Sequence, residues 1–212
     1  MTEDGSFTLR SDQFGETYHS VYGARSESEH VFISAGYAMT DKNPVSVLEM
    51  GFGSGLNAWL TLLEAEKLRR KTLYTALELF PLNGSQWEAL NLNRRGSEAG
   101  YFKAIHEAAW NQRIPLTDFF SVRKLQVDII LWKPDDFFDV VYYDAFSPEV
   151  QPELWSADVF SGIRGVMNPG GVITTYCAKG TVRRTLQSLG FEVERIPGPR
   201  GKREMIRAWV KS

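Results

Sequence analysis

Four acidic residues and one glycine-rich run carry the chemistry this sequence offers. Glu49-Met-Gly51-Phe52-Gly53-Ser-Gly55-Leu-Asn57 lies directly between an apolar run, Val45 to Met50, and a helical pattern. Glycines at such a corner permit backbone torsions and a close ligand approach that side chains would forbid, and the helix start presents unpaired N–H groups to a ligand. Alone, the run is equally a structural strand-to-helix turn. Glu78, near the end of the next apolar run and 23 residues after Gly55, is placed to accept both hydroxyls of a ribose. Asp128 is placed to accept from an adenine amino group, although an N-cap or exposed turn suits its position as well. Dinucleotide folds space their glycines G-x-G-x-x-G, whereas this turn is G-x-G-x-G behind an acid, which makes S-adenosylmethionine a better ligand than NAD. Glu49, Gly51, Phe52, Gly53, Gly55, Asn57, Glu78 and Asp128 are the candidate cofactor contacts.

The elements that must position these residues follow from the hydrophobic pattern. From Val45 onward, apolar runs alternate with helical patterns, the signature of a parallel sheet covered on both faces. Strands are expected at Val45 to Met50, Thr72 to Leu79, within Phe119 to Gln126, at Phe138 to Asp144 and at Gly171 to Ala178. Helices are expected at Leu56 to Arg69, Leu82 to Arg94, Pro152 to Val166 and Thr181 to Leu189. FEVERIP and EMIRAWV, joined by the turn-rich GPRGKR, read as a terminal hairpin. The expected fold class is α/β: a doubly wound, mostly parallel, seven-stranded Rossmann-like methyltransferase sheet with a C-terminal antiparallel hairpin. The first forty-odd residues are polar and aromatic without a steady period and read as loops and short strands. Residues 1–44 are accordingly expected to be an N-terminal extension packed on a main domain of residues 45–212. Asp144 opens Asp144-Ala-Phe-Ser-Pro148 at the end of the fourth strand, where ligands of such sheets bind. It is the leading catalytic candidate, and its bland alternative is a carboxylate that caps the following segment.

At 212 residues and 24.0 kDa, with 43% hydrophobic and 24% charged residues, the chain has the makings of one ordinary globular core. An acidic N-terminus and the want of a membrane-length apolar run point to a soluble, cytoplasmic protein. The single cysteine, Cys177, excludes an internal disulfide and a cysteine-rich zinc site, and three scattered histidines make no metal motif. A net charge of −2 argues against a general nucleic-acid binder, yet the charge is uneven: the segment from Lys179 to the end is +6 and the remainder −8. A solvated face on a terminal hairpin accounts for that tail as readily as a polyanion site does.

Taken together, these segments resemble a specific family, the bacterial tRNA 5-methylaminomethyl-2-thiouridine methyltransferases, which act on the wobble uridine. The resemblance spans nearly the whole chain. It rests on SDQFGETYHS (Ser11 to Ser20), SEHVFISAGY (Ser28 to Tyr37), LEMGFGSGLN (Leu48 to Asn57), YYDAFSPEVQPELW (Tyr142 to Trp155) and GPRGKREM (Gly198 to Met205). One departure is the alanine of the Asp144 segment, where some relatives have glycine. The resemblance implies methyl transfer to the primary amine of 5-aminomethyl-2-thiouridine, with Asp144 accepting a hydrogen bond from the amine. Tyr18, His30, Phe146 and Trp155 are candidates to stack on or shape the base, although each could equally be core and Trp155 reads slightly better as core, and Arg200, Lys202 and Arg203, in a glycine-rich loop, suit phosphate contact. Arg183 and Arg184 extend that basic patch or, as readily, lie on a solvated helix face. In many members this domain is fused to a C-terminal flavin-dependent oxidase that makes the aminomethyl substrate. The chain stops after the methyltransferase part, which implies a free-standing form or an excised domain, no flavin, and as partners tRNA and a separate oxidase or other supplying enzyme. Neither a membrane nor a metal is expected. Two alternatives stay open: a small-molecule amine methyltransferase, and a nucleotide- or RNA-binding module without chemistry. A dehydrogenase fits poorly.

Overall fold

Alternation along the strands decides the architecture. The structure, a computed structural model, describes residues 15–16, 23–91 and 96–211. Its strands are β1 (Val45–Met50), β2 (Thr72–Glu78), β3 (Arg113–Pro115), β4 (Phe120–Gln126), β5 (Phe138–Tyr143), β6 (Met167–Thr175), β7 (Phe191–Pro197) and β8 (Glu204–Val210). In β1, Val45 and Val47 enter one apolar cluster while Leu48 and Met50 enter a second. In β5, Val140 and Tyr142 face the first cluster and Val141 and Tyr143 the other. A strand buried on both faces needs cover on both, and helices supply it. Side chains of α2 (Leu56–Leu68) and α4 (Gly96–Glu107) fill the first cluster, and those of α5 (Ala157–Gly165) and α6 (Gly180–Ser188) the second. No helix among the described residues is long and apolar enough to cross a membrane.

The sheet runs β3-β4-β2-β1-β5-β6-β8-β7. β1, β2, β4, β5 and β6 are parallel, and β8 lies antiparallel between β6 and β7. Register pairs Met50 with Leu77 and with Tyr143, and Glu78 with Gln126, so the carboxyl ends of four strands share one edge. The strand order reverses beside β1, which opens a crevice there.

Three expectations are corrected. The seven anticipated strands gain an eighth, β3, three residues paired antiparallel to β4 at the sheet edge. The helix α4 was not anticipated, because it begins with Gly96, carries Gly100 in its interior and fully buries only Phe102 and Ile105. The described part of the N-terminal extension is helical rather than stranded: α1 (Ala24–Ser28), a π-helical turn at Glu29–Ser34 and a 3₁₀ turn at Tyr37–Met39. Ala24, Ser28, Val31, Phe32 and Ala35 are buried at helical intervals, a period masked by the polar Glu27 and Ser28. Other boundaries shift. The second helix, α3 (Gly84–Asn91), is shorter than anticipated, and Ser156 divides the segment after β5 into a 3₁₀ turn, Pro152–Trp155, and α5, whose Val159 amide it caps at 3.4 Å.

Candidate active site

The glycine turn folds against the end of β2. Gly51 and Phe52 both donate to Leu77 O, at 3.1 and 3.0 Å, which fixes the turn to the neighbouring strand. Gly51 has φ +92°, and a Cβ there would stand 3.1 Å from Asp144 O. Gly55, the N-cap of α2 at φ +72°, leaves still less room: a Cβ would lie 2.8 Å from His106 Nε2 and 3.0 Å from Phe52 Cζ. At both positions a side chain would be strained by the left-handed backbone and crowded by these neighbours. Glu78 braces the turn from the side, accepting from Gly53 N and Phe80 N, both at 2.9 Å. Asp128 accepts from Ile130 N at 2.9 Å, which steadies the loop after β4.

These elements enclose a cavity of about 600 Å³, within the range of roughly 300–1,000 Å³ usual for small-molecule sites. One half is bounded by the glycine turn, Glu78, Asp128 and the apolar Leu79, Phe80, Ile129 and Ile130. The other holds Asp144, Phe146, Tyr176, Glu16, Glu27 and Lys202. Asp144 is half-buried, and Asn57 Nδ2 donates to its Oδ2 at 2.7 Å. Burial pushes its pKa up to about 8, opposed by the Asn57 hydrogen bond and the Lys202 charge and aided by Glu27. Lys202 Nζ donates to Glu27 Oε1 at 2.7 Å and sits 4.0 Å from the centre of the Tyr176 ring. Tyr176 donates to Ala145 O at 2.9 Å, and its hydroxyl stays neutral because burial raises its pKa.

Not every residue anticipated at the site reaches this cavity. Gly51, Phe52, Gly53, Glu78, Asp128, Asp144 and Phe146 line it, and Gly55 shapes the turn behind. Glu49 and Asn57 do not line it. Both are buried behind the wall, where Asn57 Nδ2 also donates to Glu49 Oε1 at 2.9 Å. Trp155 is a core residue, 7% exposed, packed on Tyr143 and Phe160 with its indole N–H donating to Phe146 O at 2.8 Å. No face of it is left for a base. His30 shares a hydrogen bond with Pro197 O at 2.8 Å, outside the cavity. Arg200 and Arg203 are exposed on the loop between β7 and β8, but Lys202 from the same loop turns inward. Tyr18 lies outside the described residues. Sequence reasoning missed Glu27 and Tyr176. Tyr176 directly follows β6 and was findable by the same strand-end rule that singled out Asp144.

The profile of the S-adenosyl-L-methionine-dependent methyltransferases matches residues 102–211. The chain belongs to this family. Its methyl donor is S-adenosylmethionine, and the side-chain-free cradle at Gly51 to Gly55 beside the Glu78 carboxylate fits that group. Among curated relatives, this methyltransferase is 29% identical over 214 residues to the tRNA 5-methylaminomethyl-2-thiouridine biosynthesis bifunctional protein MnmC of Leptospira borgpetersenii, covering 92% of this chain and 32% of that one. It is 29% identical over 227 residues to the protein of the same name from a Marinomonas species, covering 96% and 32%. The methyltransferase thus spans about a third of the length of the curated relatives it matches. The crystal structure of MnmC2 from Aquifex aeolicus superposes with a TM-score of 0.78 at 26% identity, covering 100% of this chain and 69% of that one.

Proposed function

We propose that this chain transfers the methyl group of S-adenosylmethionine to the primary amine of 5-aminomethyl-2-thiouridine at the wobble position of tRNA. The observation that carries this reading is the wall beyond the glycine turn. There Asp144 and Glu16 stand beside the rings of Tyr176 and Phe146, a setting that offers carboxylate acceptors to the N–H groups of an amine next to an aromatic wall. The names of the MnmC relatives support the choice of nucleoside.

Gly51, Phe52 and Gly53 cradle the donor, Glu78 takes the ribose hydroxyls and Asp128 the adenine amino group. When bound, the donor supplies a methyl group made electrophilic by its sulfonium sulfur. Asp144 accepts a hydrogen bond from the amine and stabilises the positive charge that grows on nitrogen. Holding amine and methyl in line supplies on the order of 7–11 kcal/mol, so orientation outweighs base strength here. Phe146 faces the base from the cavity wall, His30 adds an aromatic contact farther out, and Tyr18 contributes a further ring to base recognition. Arg200 and Arg203 meet phosphates from their exposed loop. Residues 1–44 act as an extension of the domain at 45–212 that contributes Glu27 to the acceptor side. The reaction takes place in the cytoplasm, on uridines whose aminomethyl group a separate oxidase or other enzyme has made.

The test is to incubate the purified chain with labelled donor and tRNA from cells lacking this activity, then to digest the RNA and identify the labelled nucleoside. Label in 5-methylaminomethyl-2-thiouridine is the expected result. Donor binding without label in RNA would overturn the assignment in favour of a small-molecule amine methyltransferase.

A further inference from the structure

Among the described residues that line the cavity, Lys202 is the one cation, set against Glu16, Glu27, Asp144 and Glu153. It comes from the loop between β7 and β8, whereas Glu27 belongs to α1, 175 residues away in sequence. The Glu27 side chain is 11% exposed and that of Lys202 36%, so the pair is partly desolvated and acts on its neighbours more strongly than a surface pair does. A carboxylate at 2.7 Å and a ring face at 4.0 Å fix the ammonium at the acceptor side of the cavity. Reaching out to a phosphate would forfeit both contacts.

We propose that Lys202 is an electrostatic positioning residue of the methyl-acceptor site, whose ammonium, held by Glu27 and Tyr176, lowers the proton affinity of both the acceptor amine and Asp144. The proposal rests on the amine reading given above. In the transfer, the lone pair of the amine forms the N–C bond, the C–S bond breaks with its electrons returning to sulfur, and the proton shed by nitrogen passes to the Asp144 carboxylate. Only a neutral amine has that lone pair, and only an ionised Asp144 can take that proton. A fixed positive charge disfavours a second one beside it and favours a neighbouring carboxylate, so Lys202 biases both groups in the direction the reaction needs.

The sign of each effect is set by the structure. Burial has the largest hold on Asp144, and beyond it Lys202 lowers its proton affinity while Glu27 raises it. The other titratable groups facing this pair and Asp144 are Glu16, Glu49, Tyr74, Glu153, Tyr176 and Cys177. Tyr176 and Cys177 stay neutral, since burial raises the pKa of each. Glu49 is sealed behind the wall, and Glu16 is engaged by the Ser147 hydroxyl at 3.0 Å. Lys202 and Glu27 are therefore an opposed pair on one balance. Removing Lys202 raises the proton affinity of both Asp144 and the amine, and removing Glu27 lowers that of both.

The experiment measures the pH dependence of kcat/KM for the full chain and for Lys202→Met, Lys202→Arg and Glu27→Gln, with an RNA hairpin carrying 5-aminomethyl-2-thiouridine at the wobble position. Lys202→Met is expected to move the acidic limb upward by roughly half a pH unit or more, and Lys202→Arg to hold it near the wild-type position. Glu27→Gln is expected to move the limb downward. The same order is expected without substrate or donor, in the titration of Asp144 followed in carbon-13-aspartate-labelled protein. A merely structural role would depress rates at every pH without displacing the limb in opposite directions. Limbs that stay in place, or that move together in both charge-removing variants, overturn the Lys202 assignment alone. A wild-type protein that methylates no amine overturns the amine reading, and the assignment falls with it.

Discussion

One amide nitrogen ties two carboxyl groups together behind the cavity. Asn57 Nδ2 donates to Glu49 Oε1 and Asp144 Oδ2, at 2.9 and 2.7 Å, while Glu49 Oε2, Asn57 Oδ1 and the Tyr74 hydroxyl are buried without a hydrogen-bond partner of normal geometry. Burial, followed by the Asp144 charge, pushes the Glu49 pKa well up, which favours the protonated acid. Glu49→Gln should therefore keep donor affinity within about threefold of wild type in a calorimetric titration, a change of under 1 kcal/mol. A tenfold loss would mean that Glu49 acts on the donor as an ion. Asp144→Asn should behave differently. Its donor affinity should persist while single-turnover methyl transfer falls about a hundredfold or more, the usual scale for losing a positioned proton acceptor. Transfer at the wild-type rate would leave Asp144 a capping residue.

The turn between β1 and α2 shows how an element carries those residues and how far it was legible. The turn and Asp144 could be read from sequence because strands buried on both faces are continuous apolar runs, and their ends mark the site. The acceptor wall was not legible, since it joins α1 to the β7–β8 loop, and no local pattern announces a contact between Glu27 and Lys202. Lys202 looked like a phosphate anchor because a lysine in a glycine-rich loop usually is one. Trp155 reads from sequence as either a base contact or core, because burial of a ring by Tyr143, Phe160 and Tyr176 has no signature there. The helix α4 escaped for want of a full apolar stripe, yet its His106 backs the glycine turn, with Nε2 3.1 Å from Ser54 O and its ring stacked on Trp87 at 5.0 Å. A methyl group at residue 55 would strike that ring. Gly55→Ala is expected to cost about 1–3 kcal/mol in denaturant unfolding, from the left-handed backbone and the clash together, and to weaken donor binding as the turn shifts. An unchanged donor affinity would show that His106 and the turn yield without moving the cradle.

For the molecule as a whole, two buried groups should shape stability over separate ranges of pH. The Asp144 carboxyl, pushed up to about 8 by burial, binds its proton more tightly in the folded chain than in the unfolded one. Folded stability therefore falls as pH rises from about 4, where the unfolded carboxyl ionises, to about 8, by at most about 6 kcal/mol and by less once solvent at the cavity wall is allowed for. Lys124 behaves in the opposite way. It is 1% exposed, its ammonium donates to His106 O at 2.7 Å, and burial lowers its pKa to about 8. Between about 8 and 10.5 the unfolded lysine holds its proton while the folded one has lost it, so stability rises there by at most about 3 kcal/mol. Differences between variants isolate each contribution from the rest of the chain. Asp144→Asn should match wild type near pH 5 and unfold at a distinctly higher temperature near pH 8.5, because an amide carries no charge to bury. Lys124→Met should lose its advantage over wild type on going from pH 8 to pH 10. Melting curves of the three proteins across this range decide the matter, and parallel curves would mean that neither group titrates where its burial places it. A donor that carries positive charge into the cavity favours the ionised Asp144, so adding S-adenosylmethionine should flatten the wild-type decline between pH 5 and 8 and leave the Asp144→Asn curve with its slope unaltered.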